Sequence, residues 1–561
     1  MVGVMQFVIY IPIIFIVLIL LSKYKTYNII KTNKEELIKS WGKDPNNDFS
    51  SVKLDYIKSY YNSTKDNKND IDDITWNDLD MDYIYMIINN TGSSIGEEYL
   101  YSLLRKPCYN DLDLQERNRV IKFLSENEKS RIDLQQRFEF IGKLQATSFF
   151  KYINNLDNLK QKKSTANYLM AFSLIASIIL SFIKPGIGVP LTIFFVSNNI
   201  IKYYKTKADI EPYLITFSYI IRLLKYSKKI YDLNITELKE YNQKINLNTK
   251  KFKSFKRGSW ILSSANLSDS VIDMILDYIR ILFHIDIIKF NSMHKILIKQ
   301  KDDLLNIFDI IGFLDSMVAT ASFRKMLKYY SEPKLANNKK PNIEIIDLYH
   351  PLILDPIPNS INEDQSMLIT GSNASGKSTF IKTVAINAIL SQTIFTSLSK
   401  SYKASFFKIF SSMALRDNIF NNESYYIVEI KSLKRILDVM DNDIPTLCFV
   451  DEVLRGTNTL ERIAASSRIL KEFSVQNALV LAATHDIELT YILEEYYSNY
   501  HFQENVIENE IFFDYKIHQG RSQSRNAIKL LSILGYDNKI ICDAESAIDF
   551  FVNNNEWDII V

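Results

Sequence analysis

The eight residues Gly371-Ser372-Asn373-Ala374-Ser375-Gly376-Lys377-Ser378 constrain this chain more than any other stretch, because a loop of the form G-x-x-x-x-G-K-[ST] works only between a strand and a helix. Both flanks fit. Ser366 to Thr370 (SMLIT) reads as a short apolar strand, and the run beginning TFIKTVAINAIL reads as an apolar helix. The chemistry requires backbone N–H groups turned toward phosphates, a lysine for the β and γ oxygens and a hydroxyl for Mg²⁺; this spacing supplies all three. Gly371, Gly376, Lys377, Ser378 and the adjoining Thr379 are the candidate nucleotide contacts. Glycine is scarce, 14 in 561 residues, so a chance match is negligible.

Leu447 to Glu452 is an apolar strand ending in two carboxylates, 80 residues after Gly371. In such an arrangement Asp451 holds Mg²⁺ through water and Glu452 orients an attacking water. A further apolar strand, Ala478 to Ala483, ends in Thr484-His485-Asp486, where a histidine can sense a γ-phosphate. A single histidine at such a place is more often structural. From the strand-like run Ile343 to Ile346 onward the chain alternates strands and helices, so an α/β domain begins near Asn342.

The first half reads differently. Val4 to Leu21 is 18 residues without a charge, long enough to cross most of a bilayer. A cleaved signal peptide is the competing reading, but no positive residue precedes the run and no A-x-A-like site follows it. Lys23, Lys25, Lys31 and Lys34 follow, which places the N-terminus outside and the rest in the cytosol. A second apolar region, Tyr168 to Ile183 and Ile187 to Ile201, is broken by Lys184-Pro185-Gly186 and reads as a helical hairpin. Lysines stand at both its ends (160, 162 and 163; 202, 205 and 207), so both ends would stay cytosolic. A buried hairpin in a soluble core is the alternative, since the second arm is short and carries Asn198 and Asn199. Val271 to Ile288 is interrupted by five charged or titratable residues and reads as a core helix. The expected location is the cell membrane, multi-pass, with the α/β domain in the cytoplasm.

At 561 residues two or three domains are expected. Residues 26 to 160 and 206 to 330 carry helix-period apolar positions with little Gly or Pro and read as bundle or lever segments. Lys+Arg 67 against Asp+Glu 65 leaves +2, which excludes a global field for nucleic acid or an acidic substrate. Three scattered cysteines exclude a disulfide framework and a structural zinc site as default readings.

Taken in order, GSNASGKST, DNIFNNESYYIVEIKS, FVDEVLRGTNT and ATHDIELT resemble the ATPase domain of the MutS family of DNA mismatch repair proteins. The resemblance extends to His350-Pro351 and Asn359 before the loop, and to Gly520 through Gly535, similar to the family's dimer-forming tail. MIINNTGSSIGEEYLYSLLRKPCYNDLDLQERNRVIKFL is similar to the start of the family's helical core, with Thr91, Gly92, Leu104 and Pro107 in familiar places. It covers most of the chain after Asp78, apart from residues 160 to 205.

The resemblance implies an α/β ABC-type P-loop ATPase domain at 340–561, C-terminal to an all-α lever/core domain at 78–330. An N-terminal transmembrane anchor (1–25), a linker (26–77) and a mid-chain transmembrane hairpin (166–201) complete the expected organisation. It implies ATP and Mg²⁺ as cofactors, with Asn373 and Lys377 on the phosphates, Ser378 and Asp451 serving the metal, Glu452 polarising water and His485 as a switch. Ser424 falls where the family reaches across to the other subunit's γ-phosphate, which implies two composite sites and a homodimer; Asn422 stands where a glycine is common. His501 matches a histidine near the adenine, while the aromatic expected just before Asn359 is replaced by Pro356-Ile357-Pro358.

No mismatch-reading domain is found between the anchor and the helical core, so DNA, where bound, is expected without mismatch selectivity. The apolar hairpin falls where soluble relatives insert a DNA clamp, which directs the lever output at membrane lipid. Lys250 to Arg257 is a basic patch with interleaved Phe252 and Phe255, suited to phosphate backbones or anionic headgroups, or simply a solvated face. Two function classes follow. One is a membrane-anchored ATPase that drives lever movement on a lipid or unidentified protein partner; the other is a DNA-binding repair or defence protein held at the membrane. An ABC-type exporter is disfavoured, because no LSGGQ signature is present.

Overall fold

The computed structural model describes residues 2–47, 49–144, 147–158, 164–257, 271–338, 340–372, 375–413, 425–440, 443–455, 457–507, 510–522, 528, 531, 535–554, 556–557 and 559–560. A mostly helical N-terminal part is followed by a mixed α/β C-terminal region. They form two compact units that interleave along the chain: one of Met1–Lys65, Tyr85–Leu103 and Glu116–Met326, the other of Asp66–Ile84, Leu104–Gln115 and Leu327–Val561. The sequence boundaries near 78 and 340 ran through continuous segments, whereas the α/β unit takes two upstream pieces. Side-chain chemistry explains the first piece: the buried Asp78 accepts the Ser411 hydroxyl at 2.7 Å and the Met413 amide at 3.0 Å, and Arg435 binds Asp72 at 2.7 Å.

In the helical unit the Lys301–Met326 helix is the spine, buried at nearly every residue from Ile311 to Arg324. Such burial demands that its polar groups be satisfied. Asp315 does this by accepting the amides of Gly92 and Ser93, both at 3.0 Å, and the Ser93 hydroxyl at 2.6 Å. Beside it, Phe308 stacks on Phe149 at 5.7 Å and Tyr60 donates to Asp309 at 2.7 Å.

The apolar hairpin forms as two antiparallel helices, Thr165–Ile183 and Pro185–Tyr231. Lys184 leaves the helical region and Pro185 restarts it at the first turn, where its missing N–H costs nothing. The return is tight: a Cβ on Gly188 would stand 2.2 Å from the Ser181 amide nitrogen, so only glycine fits. Ser181 and Thr192 bond across the arms at 3.0 Å. The second arm does not stop at Ile201 but continues unbroken to Tyr231 as one 47-residue helix. Asn199 is fully buried, its side-chain amide donating to the Leu282 carbonyl at 3.0 Å and its backbone carbonyl oxygen 2.9 Å from His284 Nε2. Asn199 thereby ties the second arm to the chain at Leu282 and His284.

Among the described residues two helices are long and apolar enough to cross a membrane: Thr165–Ile183, whose apolar window is 11% buried, and Lys301–Met326, 72% buried. The latter is a core helix by its burial. The second hairpin arm falls short of the same standard because Asn198 and Asn199 dilute it. The Val4–Leu21 run lies within a helix spanning Val2–Ser40, with side chains that, up to Ile19, lie outside the described residues. Val271–Ile288 is not one core helix but two, Val271–Phe283 and Ile285–Lys299, broken at His284, whose φ is +53°.

In the α/β unit β1 (Lys334–Ala336), β2 (Ile343–Leu348), β3 (Asn359–Glu363) and β5 (Ser401–Ser405) form a four-stranded sheet ordered β1-β5-β2-β3. A six-stranded sheet is ordered β10-β9-β4-β8-β7-β6, from β4 (Ser366–Thr370), β6 (Lys408–Ser412), β7 (Thr446–Asp451), β8 (Ala478–Ala483), β9 (Tyr497–Ile507) and β10 (Glu510–Gln519). All neighbours in it are parallel except β9 and β10. β4 (SMLIT) is buried at every residue, as a largely apolar strand of a covered parallel sheet should be, and β6 is buried throughout as well although only Ile409 and Phe410 in it are apolar.

Candidate functional site

Parallel strands bring their C-terminal ends to one edge, and ligands of open α/β sheets collect there. β4 lies between β8 and β9 with Ile369 opposite Ala483 and Tyr500, while Asp451 at the end of β7 also pairs Ala483. The register therefore levels the glycine-rich loop, Asp451-Glu452 and Thr484-His485, three motifs far apart in sequence.

Gly371 has φ +144°, and a Cβ on it would stand 2.7 Å from the Phe502 carbonyl oxygen. Gly376, φ +106°, opens the Lys377–Thr393 helix without a side-chain cap, which leaves the first N–H groups for an anion. Lys377 is buried and donates to the Gly371 and Ser372 carbonyls at 2.7 and 2.8 Å. Burial pulls its amine below the ordinary lysine value, against the opposing pull of Asp451, Glu452 and Glu504. Ser372 in turn binds the Glu504 carboxylate.

Burial pushes the Asp451 carboxyl up, the Ser378 hydroxyl beside it draws it down, and Glu452 pushes it up again. Its Oδ1 is buried without a hydrogen-bond partner in the described residues. A buried, orphaned carboxylate oxygen next to a serine hydroxyl is a donor set that fits Mg²⁺. Glu452 is held from both sides, by His485 Nε2 at 3.1 Å and Arg455 Nε at 2.7 Å. Burial and the Lys377 charge lower the His485 pKa, and the two carboxylates oppose them. The turn after β8 is pinned by Arg462, which grips Asp486 at 2.6 and 2.9 Å.

A cleft opens along the loop, lined by Ser372, Gly376 to Thr379 and Glu452, and farther along by His350, Ile357, Phe502 and Tyr515. Burial pushes His350 down to about 4, so it is neutral there. His501 is not among the lining residues, contrary to its expected place near the base. Strand alternation turns Phe502 into the cleft, while His501 Nδ1 lies 3.0 Å from the Gly520 carbonyl oxygen and its ring lies against His518. Tyr515 lines the same cleft as Pro356-Ile357. It sits at φ +52° where the β9–β10 register shifts between Phe513 and Ile517. Asn359 holds that bulge, donating to the Tyr515 carbonyl at 2.9 Å and accepting the Ile517 amide at 2.8 Å. Tyr515 and Arg455 were invisible as site residues, because a bulge and an ion pair three residues along a turn leave no spacing signature. Asn373 and Ser424 lie outside the described residues.

The basic patch also changes character. Phe252 and Phe255 are fully buried and anchor the segment in the core, Lys251 pairs with Asp303 at 2.6 Å, and Lys256 donates to Leu224 O. Its aromatics offer no stacking surface.

Residues 367–551 match the family model of MutS domain V. The DNA mismatch repair protein MutS of Thermotoga maritima is 28% identical over 277 residues, which is 47% of this chain and 34% of that protein. Its namesake in Petrotoga mobilis is 31% identical over 223 residues, 38% of this chain and 27% of the relative. That of Staphylococcus aureus (strain JH9) is 28% identical over 256 residues, 43% and 29%. The chain thus spans about a third of the length of the curated relatives it matches.

Proposed function

We propose that this chain is a membrane-anchored MutS-type ATPase that hydrolyses ATP at composite sites of a homodimer and uses the cycle to move its helical unit. The observation that carries the reading is the meeting of Lys377, Asp451, Glu452 and His485 at one edge of a parallel sheet. The phosphate chain is taken by the open N-terminus of the Lys377–Thr393 helix, with Lys377 exchanging two loop carbonyls for phosphate oxygens. Ser378 and Asp451 would hold Mg²⁺, which when bound would supply positive charge against the phosphate chain. Glu452 orients the attacking water once Arg455 has left it, and His485 keeps that carboxylate aimed. Ile357 and Tyr515 flank the base. Ser424 of each subunit completes the other's site.

Membrane attachment rests on the Val4–Leu21 run and on the hairpin. Phe172, Phe182, Ile183 and Phe194 are each more than 60% exposed, and the outward side of the Thr165–Ile183 helix, about 28 Å long, is apolar from end to end. Water opposes such a face and lipid does not.

A second reading, a DNA-binding repair or defence protein held at the membrane, is favoured by the printed names of the relatives and by a local concentration of cations. Lys225 and Arg137 depress Lys229, Lys228 depresses Lys256 and Arg257 depresses Lys289, in each case after burial. The test is the full-length protein in detergent and in anionic vesicles, assayed for ATP hydrolysis alone, with lipid, and with matched or mismatched duplex DNA. Hydrolysis abolished by Lys377→Ala and stimulated by vesicles supports the first reading. Salt-sensitive stimulation by DNA alone supports the second, and a rate indistinguishable from Lys377→Ala under every condition overturns both.

A further inference from the structure

We infer that Glu429 is a positioning residue for the proposed ATP hydrolysis, fixing the turn from which Glu452 faces the nucleotide; the inference rests on the ATPase reading above. β7 ends at Asp451, and the two residues that follow at alternate positions, Glu452 and Leu454, have φ of +54° and +58°. Side chains rarely adopt that region, and each such residue persists only where its surroundings over-determine it. Three contacts do so here. The Glu452 amide donates to Ala483 O at 2.9 Å, which ties the start of the turn to β8. Val453 and Leu454 are buried in one cluster with Leu433 and Ile436 of the Tyr425–Val439 helix. From that same helix Glu429, 4% exposed, accepts the Leu454 amide.

The third contact is the informative one. The apolar cluster would tolerate many carboxylate-free sequences, yet a carboxylate is buried where what it meets of the turn is the backbone amides of Leu454 and Arg455. Burial raises the Glu429 carboxyl, and the amides of Leu454 and Arg455 draw it back. Its other oxygen, Oε2, has no hydrogen-bond partner among the described residues. Remove the accepting oxygen and the Leu454 amide is left buried and unpaired, so the turn relaxes toward negative φ. Glu452 is two residues away, and its carboxylate then loses the aim that places it between His485 and Arg455. Among the described residues Glu429 is not one that lines the cleft, so nucleotide binding is expected not to depend on it.

The experiment compares full-length wild type, Glu452→Gln, Glu429→Ala and Glu429→Gln by kcat, KM for ATP, ADP affinity and melting temperature. Glu429→Ala is expected to lose about ten- to a hundredfold in kcat, with KM and ADP affinity within about twofold of wild type. Glu429→Gln keeps an oxygen for the Leu454 amide and puts its NH₂ where Oε2 has no partner, so it should recover kcat to within about threefold. A Glu429→Ala enzyme with wild-type kcat, measured beside an inactive Glu452→Gln, overturns the inference. So does a Glu429→Ala enzyme whose ADP affinity and melting temperature fall together with kcat and whose Gln counterpart recovers nothing, because that is a merely structural residue. A Glu452→Gln protein as active as wild type overturns the ATPase reading instead, whatever Glu429 does.

Discussion

Asp315 in the helical unit is a buried carboxylate and Asp451 in the α/β unit a half-buried one; desolvation pushes both above the ordinary range, and they do opposite things. Asp315 has three donors, two amides and a hydroxyl, which reach it from residues more than 200 positions earlier in the chain. Asp451 has a buried oxygen with no hydrogen-bond partner among the described residues, and around it stand a lysine, a serine, a histidine and a second carboxylate. A satisfied buried acid locks a fold; an under-satisfied one at a strand end beside a cleft is set for a ligand. The direction of the perturbation does not separate the two. The partner set does.

The sharpest way to break this contrast is to neutralise one carboxylate in each unit. Glu452→Gln, beside Asp451, should lower kcat about 10²- to 10³-fold while the melting temperature and ATP binding stay as they are. Asp315→Ala should do the reverse. It leaves the Gly92 and Ser93 donors buried and unpaired, at a cost of about 3 kcal/mol, with the loss read in denaturant unfolding. Equal stability losses in the two variants would mean that the α/β acids are structural as well.

The same contrast explains what could be read from the chain beforehand. SMLIT, the glycine-rich loop, the strand ending in Asp451-Glu452 and the strand Ala478–Ala483 were legible because strand-end chemistry needs fixed residue types at fixed local spacing. The turn geometry at Glu452, the bulge that presents Tyr515 and the ties of Asp72 and Asp78 to the α/β unit were not. Each depends on partners brought together only by the fold. Hydropathy alone does not separate Thr165–Ile183 from Lys301–Met326, both long and apolar enough to cross a membrane, although one is open and the other is the core of its unit. Asp315 is what marks the second, since an acid with three donors needs neighbours and lipid has none to offer.

A finer comparison uses pH. Burial pushes Asp315 up to about 7 and Glu98 to about 8, both above the unfolded carboxylate value. The folded chain therefore binds more protons than the unfolded one between about pH 4 and those values, and the stability they contribute is full below that window and lost as pH rises through it. The expected result is that wild type melts at progressively lower temperature from pH 5 to pH 8, with a shallower slope in Asp315→Asn. The difference in slope isolates the residue from other titrating groups. An unchanged slope would mean that Asp315 stays ionised and that its three donors outweigh its burial.

The smallest effect concerns aromatics on the two sides of the same contrast. Tyr219 in the helical unit is fully buried and its hydroxyl accepts the Ile95 amide, so it is complete without a ligand. Tyr515 is 45% exposed at φ +52°, a strained position that Asn359 maintains from both sides of the bulge. Its ring lies 5.8 Å from that of Phe513 and lines the cleft together with Ile357, where the proposed reading puts the base between the two. Tyr515→Ala should weaken ATP and ADP binding about tenfold, close to 1.4 kcal/mol, with kcat at saturating ATP unchanged. Tyr515→Phe keeps the ring and should bind as wild type does. Fluorescence titration with an adenine nucleotide and with inorganic triphosphate separates the contributions, because the triphosphate lacks the base and its affinity should be indifferent to either substitution. A triphosphate affinity that falls in Tyr515→Ala as far as the ATP affinity does would show that the residue supports the loop and not the base, and Tyr515 would then belong with Tyr219.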